Sequence, residues 1–145
     1  MNHSPKNELV LWGRNDFGIL GLGYECDEVI MDPRTVSVPN TTWTQVSCAA
    51  GHTAAVSSNG DVWTWGIGQC DVLGHSNYNI TNVPKKVEIP GGEAVIMVTC
   101  QNMDTAVVTA TGNVFTWYAI SFNHFFHLPF EFSLANTLLK GLWVS

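Results

Sequence analysis

The sequence predicts an all-β chain built from stacked, four-stranded antiparallel sheets, and three observations carry that expectation. Residues 47–65 recur 52 positions later as residues 99–117, a period in the range of propeller blades and similar stacked sheets. Within each copy, two short apolar-rich runs flank a turn signal, Ser58-Asn59-Gly60 in one and Ala110-Thr111-Gly112 in the other. Such a signal marks a tight hairpin because Gly accepts positive φ. The 145 residues are 46% hydrophobic and only 12% charged, with 13 Gly and 6 Trp. Short strands joined by tight turns suit that mixture better than long helices, which are richer in Ala, Glu, Lys and Leu.

The elements follow in chain order. Leu9 to Gly13 closes an earlier copy of the repeat, because Trp12, Leu20 and Gly21 fall onto Trp65, Leu73 and Gly74 with a shift of 53 residues. Glu25, Asp27, Glu28 and Asp32 form an acidic run in the long loop expected after Gly23. Val36 and Val38 after Pro33, and Val87 and Ile89 after Pro84, mark an outer strand in successive units. Val46 and Cys48, then Val98 and Cys100, mark the strand that precedes each hairpin. The hairpins pair Thr53–Ser57 with Asp61–Trp65 and Thr105–Thr109 with Asn113–Trp117. The expected organisation is therefore a polar segment over 1–7, repeats over 8–118 and an apolar non-repeat tail over 119–145.

Particular residues carry a family resemblance. Trp12-Gly13-Arg14-Asn15-Asp16-Phe17-Gly18-Ile19-Leu20-Gly21 resembles the W-G-x-N-x-x-G-Q-L-G signature of the regulator of chromosome condensation repeats. Gly51-His52-Thr53, followed by Gly60-Asp61-Val62-Trp63-Thr64-Trp65-Gly66, is similar to that family's His-Thr strand and its Trp-Gly ending. The resemblance implies an incomplete β-propeller, since seven blades of this length need roughly 360 residues. It also implies structural duty for Trp12, Gly13, Gly18, Gly21, Gly51, His52, Thr53, Gly60, Trp65, Gly66, Gly74, Gly112 and Trp117. The pattern decays along the chain: Asp71 stands where the second copy needs a Gly, Met103-Asp104 replaces Gly51-His52, and Tyr118 replaces Gly66.

Gly13, Gly18 and Gly21 are spaced loosely like a phosphate loop, yet no Lys-Ser or Lys-Thr follows, so turn geometry accounts for them. His52 is expected to satisfy backbone groups in a half-buried strand rather than act as a base. His124 and His127 sit among Phe125, Phe126 and Pro129 without a nearby thiol or carboxylate, which argues against a metal site. Cys26, Cys48, Cys70 and Cys100 match no zinc spacing and are read as reduced thiols. No nucleophile and base can be paired from the sequence, so no catalytic residue, cofactor or metal is expected. The light-sensing members of the family carry G-W-R-H-T where this chain has Ala49-Ala50-Gly51-His52-Thr53, so their chromophore is not expected here. Trp12, Trp65 and Trp117 are instead expected to pack between adjacent sheets.

A net charge of -6 argues against gripping a phosphate backbone. The polar start, Met1 to Glu8, lacks a secretory run, so an intracellular location, cytoplasmic or nuclear, is expected. The resemblance implies a non-catalytic protein-interaction module, acting as an exchange factor for a Ran-like small GTPase, as a scaffold, or as a substrate-binding part of a ubiquitin ligase. The acidic Glu25, Asp27, Glu28 and Asp32 are the candidate partner-binding loop. Alternative expectations are a truncated product without its own activity and weak interfacial membrane contact by the tail. Open blade faces also predict self-association.

Overall fold

The structure is a computed structural model that describes residues 8–118, so the expectations for 1–7 and 119–145 lie outside the described residues. Among the described residues, nine strands form three antiparallel sheets. The first pairs β1 (Leu9–Asn15) with β2 (Cys26–Val36). The second has the order β3 (Trp43–Cys48), β4 (His52–Ser57), β5 (Val62–Gly66), β6 (Thr81–Val87). The third has the order β7 (Val95–Gln101), β8 (Asp104–Thr109), β9 (Val114–Tyr118). By sequence register, β1 and β2 correspond to β5 and β6, while β7 to β9 correspond to β3 to β5. One complete blade is thus flanked by the outer half of one unit and the inner three strands of another.

The second sheet is buried on both faces. Every residue of β4 is buried, which explains why His52-Thr53-Ala54-Ala55-Val56-Ser57 reads as a run of small and apolar residues rather than an alternation. One face of this sheet supplies Trp43, Ala55 and Trp65 to a core with Leu9, Leu11, Leu20 and Val36. The other face supplies Ala54, Val56, Val62 and Val87 to a core with Val95, Val98, Val107, Phe115 and Trp117. Trp65 and Trp117 therefore lie in different cores and not against each other. Equivalent residues of stacked repeats point the same way, so a whole sheet separates them.

Two local expectations need correction. The outer strands begin before their prolines: Pro33 lies inside β2 and Pro84 inside β6, whereas Val38 and Ile89 fall beyond the strand ends. Each proline is accommodated by an irregularity, with the register jumping from Leu11↔Arg34 to Gly13↔Ile30 and from Thr64↔Lys85 to Gly66↔Thr81. A strand at a sheet edge tolerates the lost N–H. The acidic run is also not a loop. Glu25 immediately precedes β2, and Asp27, Glu28 and Asp32 belong to it. β1 supplies a partner for that backbone, and the four acidic side chains remain exposed.

The hairpin turns close as the glycines require. Gly60 donates its N–H to the Ser57 carbonyl at 2.9 Å and takes φ +80°, and Gly112 donates to Thr109 at 3.0 Å with φ +90°. Only the glycine adopts positive φ, not Asn59. A Cβ on Gly60 would lie 2.7 Å from Ala94 Cβ and 2.9 Å from its Cα. Gly60→Val is expected to destabilise by more than about 1 kcal/mol, because left-handed strain adds to that overlap. Thermal unfolding checks this, and an unchanged midpoint would refute the turn geometry.

Candidate functional site

The motif residues assemble at the two boundaries between sheets. After β1 the chain turns tightly over Asp16–Gly18, with Phe17 at φ 60°, and the same turn recurs over Gln69–Asp71 with Cys70 at φ 56°. Each turn presents a carbonyl and a glycine to the next sheet. At the first boundary, Thr53 Oγ1 and Trp65 Nε1 both donate to the Ile19 carbonyl, each at 2.8 Å. The Trp65 indole lies where a Cβ on Gly21 would sit, 2.8 Å from Nε1. At the second boundary, Thr105 Oγ1 donates to the Val72 carbonyl at 2.7 Å, and the Trp117 indole occupies the space beside Gly74. The recurring Thr, Trp and Gly are one interlocking device used twice.

His52 adds to the second boundary. It is fully buried, and its Nε2 lies 2.9 Å from Thr105 Oγ1. The Thr105 hydroxyl hydrogen is directed to Val72, so His52 Nε2 donates its own hydrogen to that oxygen. Burial pushes the His52 pKa below its ordinary value of 6.5, outweighing the opposing pull of the Asp104 backbone and carboxylate. The imidazole is a neutral bridge between sheets; it is fully buried rather than half-buried, and its hydrogen-bond partner is the Thr105 hydroxyl of the third sheet. Gly51 is buried against Ile67, and Gly66 takes φ +110° where the backbone of Gly51 and His52 passes close to it.

Several anchoring residues escaped the candidate set. Asn15, fully buried, donates from Nδ2 to the Tyr24 carbonyl at 2.8 Å and accepts at Oδ1 from the Leu20 N–H at 3.1 Å. Its place in the W-G-x-N signature was the available signal. Gln45 Oε1 accepts from the Val98 N–H at 2.8 Å, and Ser47 Oγ accepts from the Cys100 N–H at 2.9 Å, stitching β3 to β7. Thr64 Oγ1 donates to the Leu73 carbonyl at 2.7 Å and meets His75 Nε2 at 3.0 Å. No sequence pattern marks the Gln45, Ser47 and Thr64 contacts.

Not every expected site residue joins this device. Trp12, at the Trp65 position, is 62% exposed on β1, and a Cβ on Gly13 would meet open space. Gly18 faces Asn82 of β6, and Gly60 and Gly112 serve the hairpins. Glu25, Asp27, Glu28 and Asp32 are all exposed, and Arg14, Asp16 and Phe17 line a shallow depression together with Glu25 and Asp27. An ion pair joins Arg14 to Asp16 within it. The four cysteines are free thiols, and burial pushes Cys100, beside Cys48, up to about 12. Such a thiol is a poor nucleophile. Among the described residues no group of His, Cys, Asp and Glu is arranged to hold a metal, and no helix is long and apolar enough to cross a membrane. His124 and His127 lie outside the described residues.

Comparison with known proteins bears on the same residues. The family model described as "Regulator of chromosome condensation (RCC1) repeat" matches residues 7–56 and 59–108, and a second model of that description matches 43–71. Each of the first two matches begins at one sheet's Trp-bearing strand and ends on the next sheet's hairpin, so one sequence repeat straddles two sheets and ties them covalently. The E3 ubiquitin-protein ligase HERC2 of Homo sapiens is 35% identical over 111 residues, covering 73% of this chain and 2% of the ligase. The ultraviolet-B receptor UVR8 of Arabidopsis thaliana is 31% identical over 137 residues, covering 94% of this chain and 31% of the receptor. Crystal structures of human WBSCR16 and of Kap60-bound yeast RCC1 (Prp20) superpose with TM-scores of 0.70 and 0.67 at 24% and 19% identity. Each superposition covers 79% of this chain and 29% of the solved one. The chain thus spans less than a third of each of these relatives.

Proposed function

Because the chain belongs to the regulator of chromosome condensation repeat family, we propose that it acts as a non-catalytic protein-interaction module whose partner is a small GTPase. The observation that carries this reading is a division of labour. The motif side chains Thr53, Trp65, Thr105, Trp117 and His52 are buried between sheets, whereas the acidic edge Glu25, Asp27, Glu28 and Asp32 faces solvent along β2. Recognition therefore falls to exposed groups on a scaffold held rigid by its own signature. An acidic strip favours a basic partner surface and raises the rate of encounter with one. Any exchange effect arises from tighter binding of the nucleotide-free GTPase than of the loaded form, and a ligand shifts an equilibrium only by that difference.

The test is binding of the 145-residue chain to a Ran-type GTPase, with and without nucleotide. The expected result is preference for the nucleotide-free form. Replacing Asp27, Glu28 and Asp32 by Asn, Gln and Asn should weaken binding about tenfold, or roughly 1.4 kcal/mol, and leave the melting midpoint unchanged. Absence of binding to either form, or unaltered binding by the neutralised variant, would refute the proposal. Equal binding to both forms would favour a scaffold or ligase-associated role, which the 35% identity to HERC2 makes the second reading.

A further inference from the structure

An exposed apolar surface lies across the first boundary, where both of the sheets that form it are present. The turn after β1 carries Phe17 and Tyr24, which are 42% and 47% exposed, and β6 of the second sheet carries Val83, 48% exposed. Their neighbours hold them together. Gly23 donates its N–H to the Asn82 carbonyl at 2.8 Å, a Cβ on Gly23 would lie 3.7 Å from Val83 Cγ1, and Gly18 abuts Asn82. The Tyr24 backbone is fixed as well, because its carbonyl accepts from the buried Asn15. A missing neighbour does not create this opening. Asp16 and Phe17 correspond to Gln69 and Cys70 in the second turn, and by strand register Asp27 corresponds to Tyr78. Gln69, Cys70 and Tyr78 are exposed although the second sheet has a neighbour on each face.

Single exposed apolar side chains are ordinary, but a cluster of them rimmed by charge marks an interaction surface. Here the rim is acidic. Phe17 lines a depression of about 370 Å³ with Arg14, Asp16, Glu25 and Asp27. Arg14 is ion-paired with Asp16, and among the described residues neither Glu25 nor Asp27 has an ion pair. Two carboxylates without a counter-charge thus adjoin an aromatic ring, whose face also attracts a cation. The same carboxylates repel a phosphate-bearing surface, so charge complementarity selects a cationic occupant. We infer that this surface receives an extended basic segment of a partner protein, an apolar side chain covering Phe17, Tyr24 and Val83 while an adjacent Lys or Arg meets Glu25 and Asp27. The inference rests on the reading of the acidic edge as the partner-binding element and adds to it an apolar anchor and a position for one cation. Asn15 and Asn82 already hold the turn, so docking loses little backbone freedom.

The probe is a capped peptide, two repeats of Arg-Gly-Leu-Gly, whose Arg and Leu side chains share one face when it is extended. It is titrated into the isotopically labelled 145-residue chain and followed by NMR. Saturable shifts are expected at Phe17, Gly23, Tyr24 and Val83, and replacing the peptide's Arg by Glu or its Leu by Ser should weaken binding about tenfold. Phe17 holds φ 60°, which glycine adopts freely, so Phe17→Gly removes the ring without straining the turn. That variant, and Glu25→Gln combined with Asp27→Asn, should each weaken binding about fivefold. Cys70→Gly is the control, because it makes the same backbone change at φ 56° in the second turn and should leave binding unaltered. Equal binding of the three peptides, shifts confined to other residues, or undiminished binding by Phe17→Gly would each overturn the inference. So would adsorption of these residues to phosphatidylcholine vesicles without peptide binding, or shifts that follow protein concentration alone, which assign the surface to a membrane or to a second copy. The probe contains no GTPase: peptide binding without GTPase binding refutes only the choice of partner, and GTPase binding without peptide binding refutes only the anchor.

Discussion

Gly66→Ala is expected to lower the stability of the chain by about 4 kcal/mol, and its melting midpoint by more than about 10 °C. Gly66 adopts φ +110°, a region that side-chain-bearing residues occupy at a cost of about 1–3 kcal/mol. Its added Cβ would also press on the Gly51 carbonyl and lie 2.7 Å from His52 Cα, both backbone atoms of the adjacent segment. Backbone cannot rotate away as a side chain does. Gly13 is the internal control, because it holds φ +116° in the same motif position but a Cβ there meets nothing within 4 Å. Gly13→Ala should therefore show the conformational cost alone, about 1–3 kcal/mol. Thermal or denaturant unfolding of both variants checks the difference. Equal losses would mean that the close approach at Gly66 contributes nothing.

His52→Ala is expected to cost about 3 kcal/mol, the sum of a cavity at a fully buried position and a lost hydrogen bond to Thr105. The pH dependence separates His52 from an inert filler. The unfolded chain binds a proton on this imidazole near pH 6.5, whereas the folded chain, with its pKa pushed down by burial, remains neutral to lower pH. Below about 6.5 the unfolded state therefore holds more protons, and stability falls as the pH falls. The neutral His52 contributes fully above that value and is lost as the pH drops through the folded pKa. His75 acts in the same direction, because its own pKa is lowered by burial and by Lys85. Unfolding free energies of wild type and His52→Ala between pH 7.5 and 5 are the measurement, and the variant should show the shallower slope. Parallel slopes would show that His52 does not couple protonation to folding.

Both effects converge on one short segment, Gly51 to Thr53, which runs past Gly66 on one side and reaches into both sheet boundaries. Thr53 points to the first boundary and His52 to the second, because successive residues of a strand face opposite ways. Gly51 must be small where Ile67 crosses it. A three-residue string can thus serve both neighbours of the sheet that carries it. The third unit, with Met103-Asp104-Thr105, retains only the Thr, which still bonds Val72. Replacement of His by Asp at this position follows from its direction, since residue 104 is exposed where residue 52 is covered by the third sheet.

The all-β class, the 52-residue period, the hairpins and the recurring Thr, Trp and Gly can be read from the chain alone, because each is a pattern of residue types along it. A hairpin glycine is legible within a few residues, and the repeated register appears on aligning the chain with itself 52 residues on. Which sheet each face meets depends on the folded arrangement. Trp12, Trp65 and Trp117 are equivalent in sequence, yet Trp65 and Trp117 are buried in separate cores and Trp12 faces outward, since burial depends on the neighbouring sheet and not on the residue. The acidic run looked like a loop because charge and Pro33 depress strand propensity. Pairing with β1 supplied the backbone hydrogen bonds that made it a strand. The Gln45 and Ser47 bridges to β7 were invisible for the same reason: their partners lie 53 residues away, at a distance set by how one sheet stacks upon the next.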